Sequence, residues 1–265
     1  MWIAQISDPP LRPRGVLYQN TVDSNGMFAT ALAQINALDP PADLVLLTGD
    51  IVDEGQPSEY GMARELLSVI KAPLRIIPGN HDEPSALRIA FSDHGYLPPS
   101  GAFNYVDEAS GPVRIVALDV TRPGLHHGDM DDDTLTWVEG VLARDPGRPT
   151  LIMMHQPPFT CGVPYLDRYC CRGGHRLATV IARYPAVERI VCGHVHRQMQ
   201  LRFAGTLLCT APSTTTAIAL RPLPAAEPAS FIEPPGFLLH HWNADTGLLT
   251  HSIPIGSFPG PFPFA

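Results

Sequence analysis

The chain contains no run of lysine or arginine. Its 26 acidic residues outnumber 18 basic ones, giving a formal net charge of −8 and a pI near 5.7. Gripping a nucleic-acid polymer by its backbone requires a basic face, so that partner is not expected. A small anionic substrate is still compatible, because divalent metals reverse the local potential of an acidic protein. No apolar stretch reaches the roughly 20 residues that span a bilayer. Trp2–Ile6 also runs straight into Asp8, without the basic start, apolar middle and cleavage site of a signal peptide. A membrane partner is therefore not expected, and the cytoplasm is the expected compartment. The five cysteines, Cys161, Cys170, Cys171, Cys192 and Cys209, are odd in number and lack C-x-x-C spacing. That fits neither a disulfide framework nor a zinc knuckle, and they read as reduced thiols. Internal repeats and a clear domain boundary are absent too, so residues 1–265 read as a single domain with a large core.

What the sequence does contain is alternation. Trp2–Ile6 and residues 44–47, 74–77, 113–118, 151–154 and 190–192 are apolar runs of strand length. Between them, residues 22–38 place Met27, Ala31, Ile35 and Leu38 at helical spacing, and residues 57–70 read as a helix with proline in its first turn. A further helix opens after Asp131, Asp132 and Asp133, whose carboxylates favour a helix N-terminus, with Trp137, Val141 and Leu142 on its apolar face. The pattern predicts an α/β layer structure. Residues 222–235 are too rich in proline for a core element and read as a long loop, either a lid or a subunit contact.

Polar residues follow the strands. Asp8, Gly49-Asp50, Gly79-Asn80-His81-Asp82, His155 and Gly193-His194-Val195-His196 all stand just past the ends of apolar runs. Ligands of α/β proteins bind at the carboxyl ends of strands, so separate segments converge on one rim. Asp, Asn and three histidines together form a two-metal donor set, suited to Zn²⁺, Fe, Mn²⁺ or Co²⁺ better than to Ca²⁺ or Mg²⁺ alone. Two ions about 3.5–4 Å apart make a water more acidic and clamp a phosphate, which is what phosphate-ester hydrolysis at neutral pH needs. Asp50, after a glycine at a strand end, is the natural bridge between them. One position breaks the set. Pro10 lies two residues after Asp8, on the same side by the strand's two-residue period, and its side chain has no donor atom.

In order and spacing these motifs resemble the calcineurin-like metallophosphoesterase family, whose pattern is D-x-H, G-D, G-N-H-[DE], H and G-H-x-H. The resemblance is strongest to its bacterial branch of class III cyclic-nucleotide phosphodiesterases and glycerophosphodiesterases. There, stretches similar to Ile6-Ser7-Asp8, Pro78-Gly79-Asn80-His81-Asp82 and Gly174-His175-Arg176-Leu177 recur. It implies a four-layer α/β/β/α sandwich of two mixed sheets. Residues from about 201 to 265 would complete the second sheet and supply Pro-rich loops for a lid or an oligomer contact. It further implies two divalent metal ions, one on Asp8, Asp50 and His196, the other on Asp50, Asn80, His155 and His194. His81 would contact the phosphate, beside Asn80, and protonate the leaving oxygen; Asp82 would be a supporting group. The implied activity is metal-dependent hydrolysis of small phosphodiesters such as glycerophosphodiesters, in a homo-oligomer. Alternatives are a 3′,5′-cyclic-nucleotide phosphodiesterase and a metal-depleted, non-catalytic relative that binds a ligand or partner. Pro10 departs from the pattern, so the first metal site is expected to be weakened and activity reduced.

Other polar residues have plainer readings. His126 and His127 lie on a loop and read as solvent-exposed. His240, His241 and His251 read as alternating across a sheet face. Asp129 to Asp133 read as a helix cap rather than a metal site, and His175 fits either a helix start or a position facing the site.

Overall fold

In the computed structural model, which describes residues 1–263, the first apolar run forms β1 (Trp2–Ile6), buried along most of its length. There follow α1 (Ser24–Asn36), β2 (Leu44–Thr48), α2 (Pro57–Leu67), β3 (Leu74–Ile77) and α3 (Pro84–Ala90). The middle of the chain forms β4 (Tyr105–Asp107), β5 (Arg114–Leu118), α4 (Asp132–Arg144), β6 (Thr150–Met154), α5 (Pro164–Asp167), α6 (Gly174–Ile181) and β7 (Val187–Cys192). After these come β8 (Met199–Phe203), β9 (Thr206–Thr210), β10 (Ala217–Ile218), β11 (Ser230–Phe231), β12 (Gly236–Asn243) and β13 (Gly247–Pro254). The helices start where capping chemistry dictates. The Asp23 side chain accepts from the Gly26 N–H, and that of Asp131 from the Thr134 N–H at 2.7 Å, the capping role read for this acidic group. Gln56 and Glu59 form a capping box ahead of α2.

Two mixed sheets result. One has the order β13-β12-β1-β2-β3 and the other β4-β5-β6-β7-β9-β8. Parallel pairing runs through β1-β2-β3 and β5-β6-β7-β9, with antiparallel strands at the flanks. Helices α1, α2 and α3 cover the outer face of the first sheet through Phe28, Leu32, Tyr60 and Leu87. On the outside of the second sheet, α4 and α6 bury Val138, Leu142, Leu177 and Ile181. A third apolar layer, with Leu46, Ile77, Ile115, Met153 and Val191, lies between the sheets. This is the expected α/β/β/α sandwich.

The C-terminal part divides between the sheets. β8 and β9 lie at the end of the second sheet. β12 and β13 join the first sheet instead, because β1 would otherwise leave a largely buried strand with an unpaired edge. Residues 264–265 of the expected C-terminal part lie outside the described residues. The histidines at the end alternate as read: His240 points inward, His241 stacks on Trp2 at 4.1 Å, and His251 is exposed. Buried His240 donates to Gln5 Oε1 at 3.2 Å. Gln5 Nε2 in turn donates to Thr48 Oγ1 and to the Cys192 carbonyl, so one polar chain crosses between the sheets. Burial, aided by the Arg189 charge, pushes the His240 pKa down to about 3. All five cysteines are free.

Candidate functional site

The ends of β1, β2 and β3 face the ends of β6 and β7 across the sandwich, and the polar motifs meet there. Asp8, Asp50, His194 and His196 all hold left-handed backbone, with φ of 53°, 48°, 71° and 52°. Such conformations are uncommon outside glycine, although Asp and His tolerate them, and they concentrate at functional sites. They let the chain turn sharply off each strand while aiming the side chain over its end. Glycines make room for this. A β-carbon on Gly193 would collide with the Ser7 hydroxyl and the Asp8 carboxylate.

Asp50, His155 and His194 each offer one donor atom, and all three atoms lie within 4.8 Å of one another; Asp8, Asp50 and His196 form a second such group. Asp50 belongs to both. His155 Nδ1 donates to the Thr48 carbonyl at 2.7 Å, leaving Nε2 at 3.2 Å from Asp50 Oδ2. His196 Nδ1 donates to the Thr216 carbonyl at 2.9 Å, and its Nε2 stands 3.4 Å from Asp8 Oδ1. The His194 main-chain N–H donates to both oxygens of the Asp8 carboxylate, at 3.0 and 3.1 Å. Asn80 Oδ1, His155 Nε2 and His194 Nε2 are buried with no hydrogen-bond partner. Unsatisfied buried acceptors are costly, and converging N and O lone pairs around a shared carboxylate fit divalent cations.

The electrostatics agree with that fit. Burial alone would raise Asp50, but the charges of His155 and His81 hold it well below the usual carboxylate range. Burial opposes a charge on His155, yet the Asp50 carboxylate lifts its pKa to about 9. Burial and the His155 charge push His194 down to about 3. Asp8 is raised by burial, against the pull of His196 and His155.

His81 sits at the mouth. Its main-chain N–H donates to Asp50 Oδ1 at 2.9 Å, and its Nδ1 donates to the Asp53 carbonyl at 2.7 Å. The latter bond fixes the tautomer and leaves Nε2 free. Asp53 is itself clamped by Arg12 at 2.7 Å, and Arg12 also reaches Glu59 at 2.8 Å. Asp82 is buried and accepts from the Gly79 and Ile51 N–H groups and from the Tyr60 hydroxyl. Burial and the Asp50 charge raise its pKa to about 7. Pro10 is buried; its carbonyl accepts from Ser24 Oγ at 3.0 Å.

A cavity of about 450 Å³ opens over these groups, with Tyr18, His126, Tyr165, Tyr169 and Ile218 among its walls. His126 is exposed, as read from its loop, but it stands on the cavity wall with Nδ1 3.2 Å from Asn80 Nδ2. His127 turns away, toward the Gly128 carbonyl. His175 lies exposed on α6, off the cavity wall, and the cap of that helix is Gly173. Tyr18, Tyr165 and Tyr169 were not legible as wall residues. The only sequence signal was the four-residue spacing of Tyr165 and Tyr169 around α5.

Comparison with known proteins agrees with this architecture. A protein of Arcobacter nitrofigilis named probable glycerophosphodiester phosphodiesterase GpdQ is 34% identical across 100% of this chain and 97% of its own length. The 3′,5′-cyclic adenosine monophosphate phosphodiesterase CpdA of Escherichia coli is 32% identical over 80% of this chain and 75% of that protein. The crystal structure of a dimetal phosphatase from Danio rerio shares the fold, with a TM-score of 0.67 at 14% identity, covering 97% of this chain and 99% of that one. The profile of the calcineurin-like phosphoesterases matches residues 1–198, and with it the strand-end motifs from Asp8 to His196: the chain belongs to the calcineurin-like phosphoesterase family.

Proposed function

We propose that the chain is a metal-dependent phosphodiester hydrolase acting on small diesters of the glycerophosphodiester type. One observation carries this: the Asp50 carboxylate is shared by two donor groups, each gathered within 4.8 Å. Asp8, Asp50 and His196 would hold one divalent ion; Asp50, Asn80, His155 and His194 would hold the other. Mn²⁺, Fe, Zn²⁺ and Co²⁺ all suit these donors. When bound, the pair supplies charge neutralisation for the phosphate and a more acidic water. The chain's own residues do the rest. His81, held by Asp53 through Nδ1 and with its pKa raised by the Asp50 carboxylate, would as an imidazolium give its Nε2 proton to the departing alkoxide. The backbone turns at Asp8, Asp50, His194 and His196 fix the donors in advance of substrate. Pro10 leaves the first ion with fewer protein ligands, so that ion is held more weakly and turnover is reduced.

A cyclic nucleotide is the second reading, favoured by the aromatic wall. His126 meets Tyr169 edge-on at 5.5 Å and Tyr169 meets Tyr165 at 5.4 Å, which offers faces for a base to stack on. The ribbon of β10 and β11 borders the cavity at Ile218 and Ser230. The loop joining these strands exposes Leu220 and Leu223, and Phe231 of β11 and the following Ile232 are exposed too, apolar side chains suited to contact between copies in a homo-oligomer. The proposed compartment is the cytoplasm. The deciding assay offers Mn²⁺-loaded protein an aryl phosphodiester, glycerophosphoethanolamine and cyclic AMP. Preference for glycerophosphoethanolamine supports the leading reading and preference for cyclic AMP the second. No turnover of any diester sinks both and leaves a binding protein.

A further inference from the structure

The Asn80 amide meets a hydrogen-bond partner, His126, that lies outside the donor cluster. Only the carbonyl oxygen of a carboxamide can ligate a cation; its NH₂ group must face elsewhere. Asn80 Oδ1 is buried and unpartnered, whereas Nδ2 lies 3.2 Å from His126 Nδ1. The bond works in one sense: Nδ2 donates and the Nδ1 lone pair accepts, which leaves the ring proton on Nε2. Rotating the amide by 180° would set the NH₂ against the donor cluster and turn Oδ1 to His126, where the bond survives only if the ring proton moves to Nδ1.

His126 is well placed to hold this setting. It belongs to neither group of donors that could take a metal. Gln156, buried and directly after His155, donates to the His126 carbonyl at 3.2 Å. The ring packs edge-on to Tyr169, 5.5 Å between centroids, and 5.8 Å from the His81 ring. The loop behind it is closed by its own bonds: the Leu125 N–H donates to the Arg122 carbonyl, the Asp129 N–H to that of Val120 and the Arg172 N–H to that of Gly128. A loop closed by these bonds thus presents one acceptor to one amide.

We propose that His126 is a positioning residue. By accepting from Asn80 Nδ2 it turns Asn80 Oδ1 into the donor cluster and so sets the affinity of the second metal position. This role rests on the metallocentre proposed above. Groups that orient a metal ligand typically change metal affinity about 10- to 100-fold when removed.

The test strips the full chain of metal with a chelator and titrates it with Co²⁺, reading the visible spectrum, and with Mn²⁺ by calorimetry. Four proteins are compared with the parent: His126→Ala, His126→Asn, Asn80→Ala and the double variant His126→Ala/Asn80→Ala. In His126→Asn the new Oδ1 stands where Nδ1 stood, three bonds from Cα, and can accept the same hydrogen bond. The expected result is about a 10- to 100-fold weaker tight-binding step in His126→Ala at an unchanged melting temperature of the metal-free chain. His126→Asn should recover most of that affinity, and the double variant should be no weaker than Asn80→Ala, because both changes act on one ligand. Parent-like affinity in His126→Ala overturns the role, as does a His126→Asn no better than His126→Ala. If the parent takes up no metal, the metallocentre itself fails and this role with it; if only Asn80→Ala keeps full affinity, the fault lies in the Asn80 assignment.

Discussion

Gly79 passes so close beneath Asp50 that a β-carbon on it would overlap the Asp50 carboxylate and main-chain nitrogen. The ends of the parallel strands β2 and β3, paired through Thr48 and Ile77, bring the two residues together. Gly79→Ala should therefore push Asp50 off both donor groups. Overpacking costs about 1–3 kcal/mol, and misplacing a catalytic group by about 1 Å can cost about 100-fold in rate. The melting temperature of the metal-free chain, metal content after dialysis and diester turnover should all fall. Unchanged metal content would show that the backbone can yield here.

Pro10→His restores the donor that the first group lacks. In the parent, dialysis should leave one firmly held metal and a second that needs excess metal in solution. The variant should bind the ion of the Asp8, Asp50 and His196 group at least about 10-fold more tightly and turn over faster at limiting metal, with rates converging at saturation. A parent that already retains two ions per chain, with neither content nor rate changed by histidine, shows Pro10 to be tolerated.

His81→Ala tests the general acid. Removing such a group lowers rates by about 10²- to 10⁴-fold when the leaving group is a poor one. An aryl diester, whose leaving phenolate needs little protonation, should lose far less than a glycerophosphodiester, and metal content should not move. Equal losses on both substrates would assign His81 to binding rather than proton transfer.

The element order and the convergence of Asp8, Asp50, Asn80, His155, His194 and His196 were legible because each apolar run ends on its polar residue, and a strand end is fixed by where burial stops. The placement of β12 and β13 was not legible. Sequence shows that a hairpin is apolar but not which buried edge lacks a partner; here it is the edge of β1. His126 was read as a solvent-exposed loop residue, since nothing local shows that its loop folds back to Asn80. The hold on His81 was not legible either, because it bonds the Asp53 main-chain carbonyl, a group that carries no sequence signature.

His240 gives the fold a definite acid sensitivity. An unfolded histidine titrates near 6.5, whereas the buried ring is held down at about 3. Between these values the unfolded chain binds a proton that the folded chain refuses. The native state therefore loses stability as pH falls below about 6.5, by up to about 1.4 kcal/mol per pH unit from this group. His240→Gln should flatten that slope. Urea midpoints measured with chelator between pH 7.5 and 5 read it directly, because other groups titrate alike in both proteins and cancel in the difference. Parallel slopes would refute the assignment.

The donors are divided between the sheets: Asp8, Asp50 and Asn80 follow strands of one, and His155, His194 and His196 follow strands of the other. Their spacing is therefore inherited from the apolar layer of Leu46, Ile77, Met153 and Val191, which fills the space between the sheets and holds them apart like a gauge block. Packed interiors deform in steps rather than smoothly, so a methylene added to or removed from that layer rescales the opening between the donor halves. The calibre of the opening between the donor halves is set in the hydrophobic middle of the protein as much as at its rim.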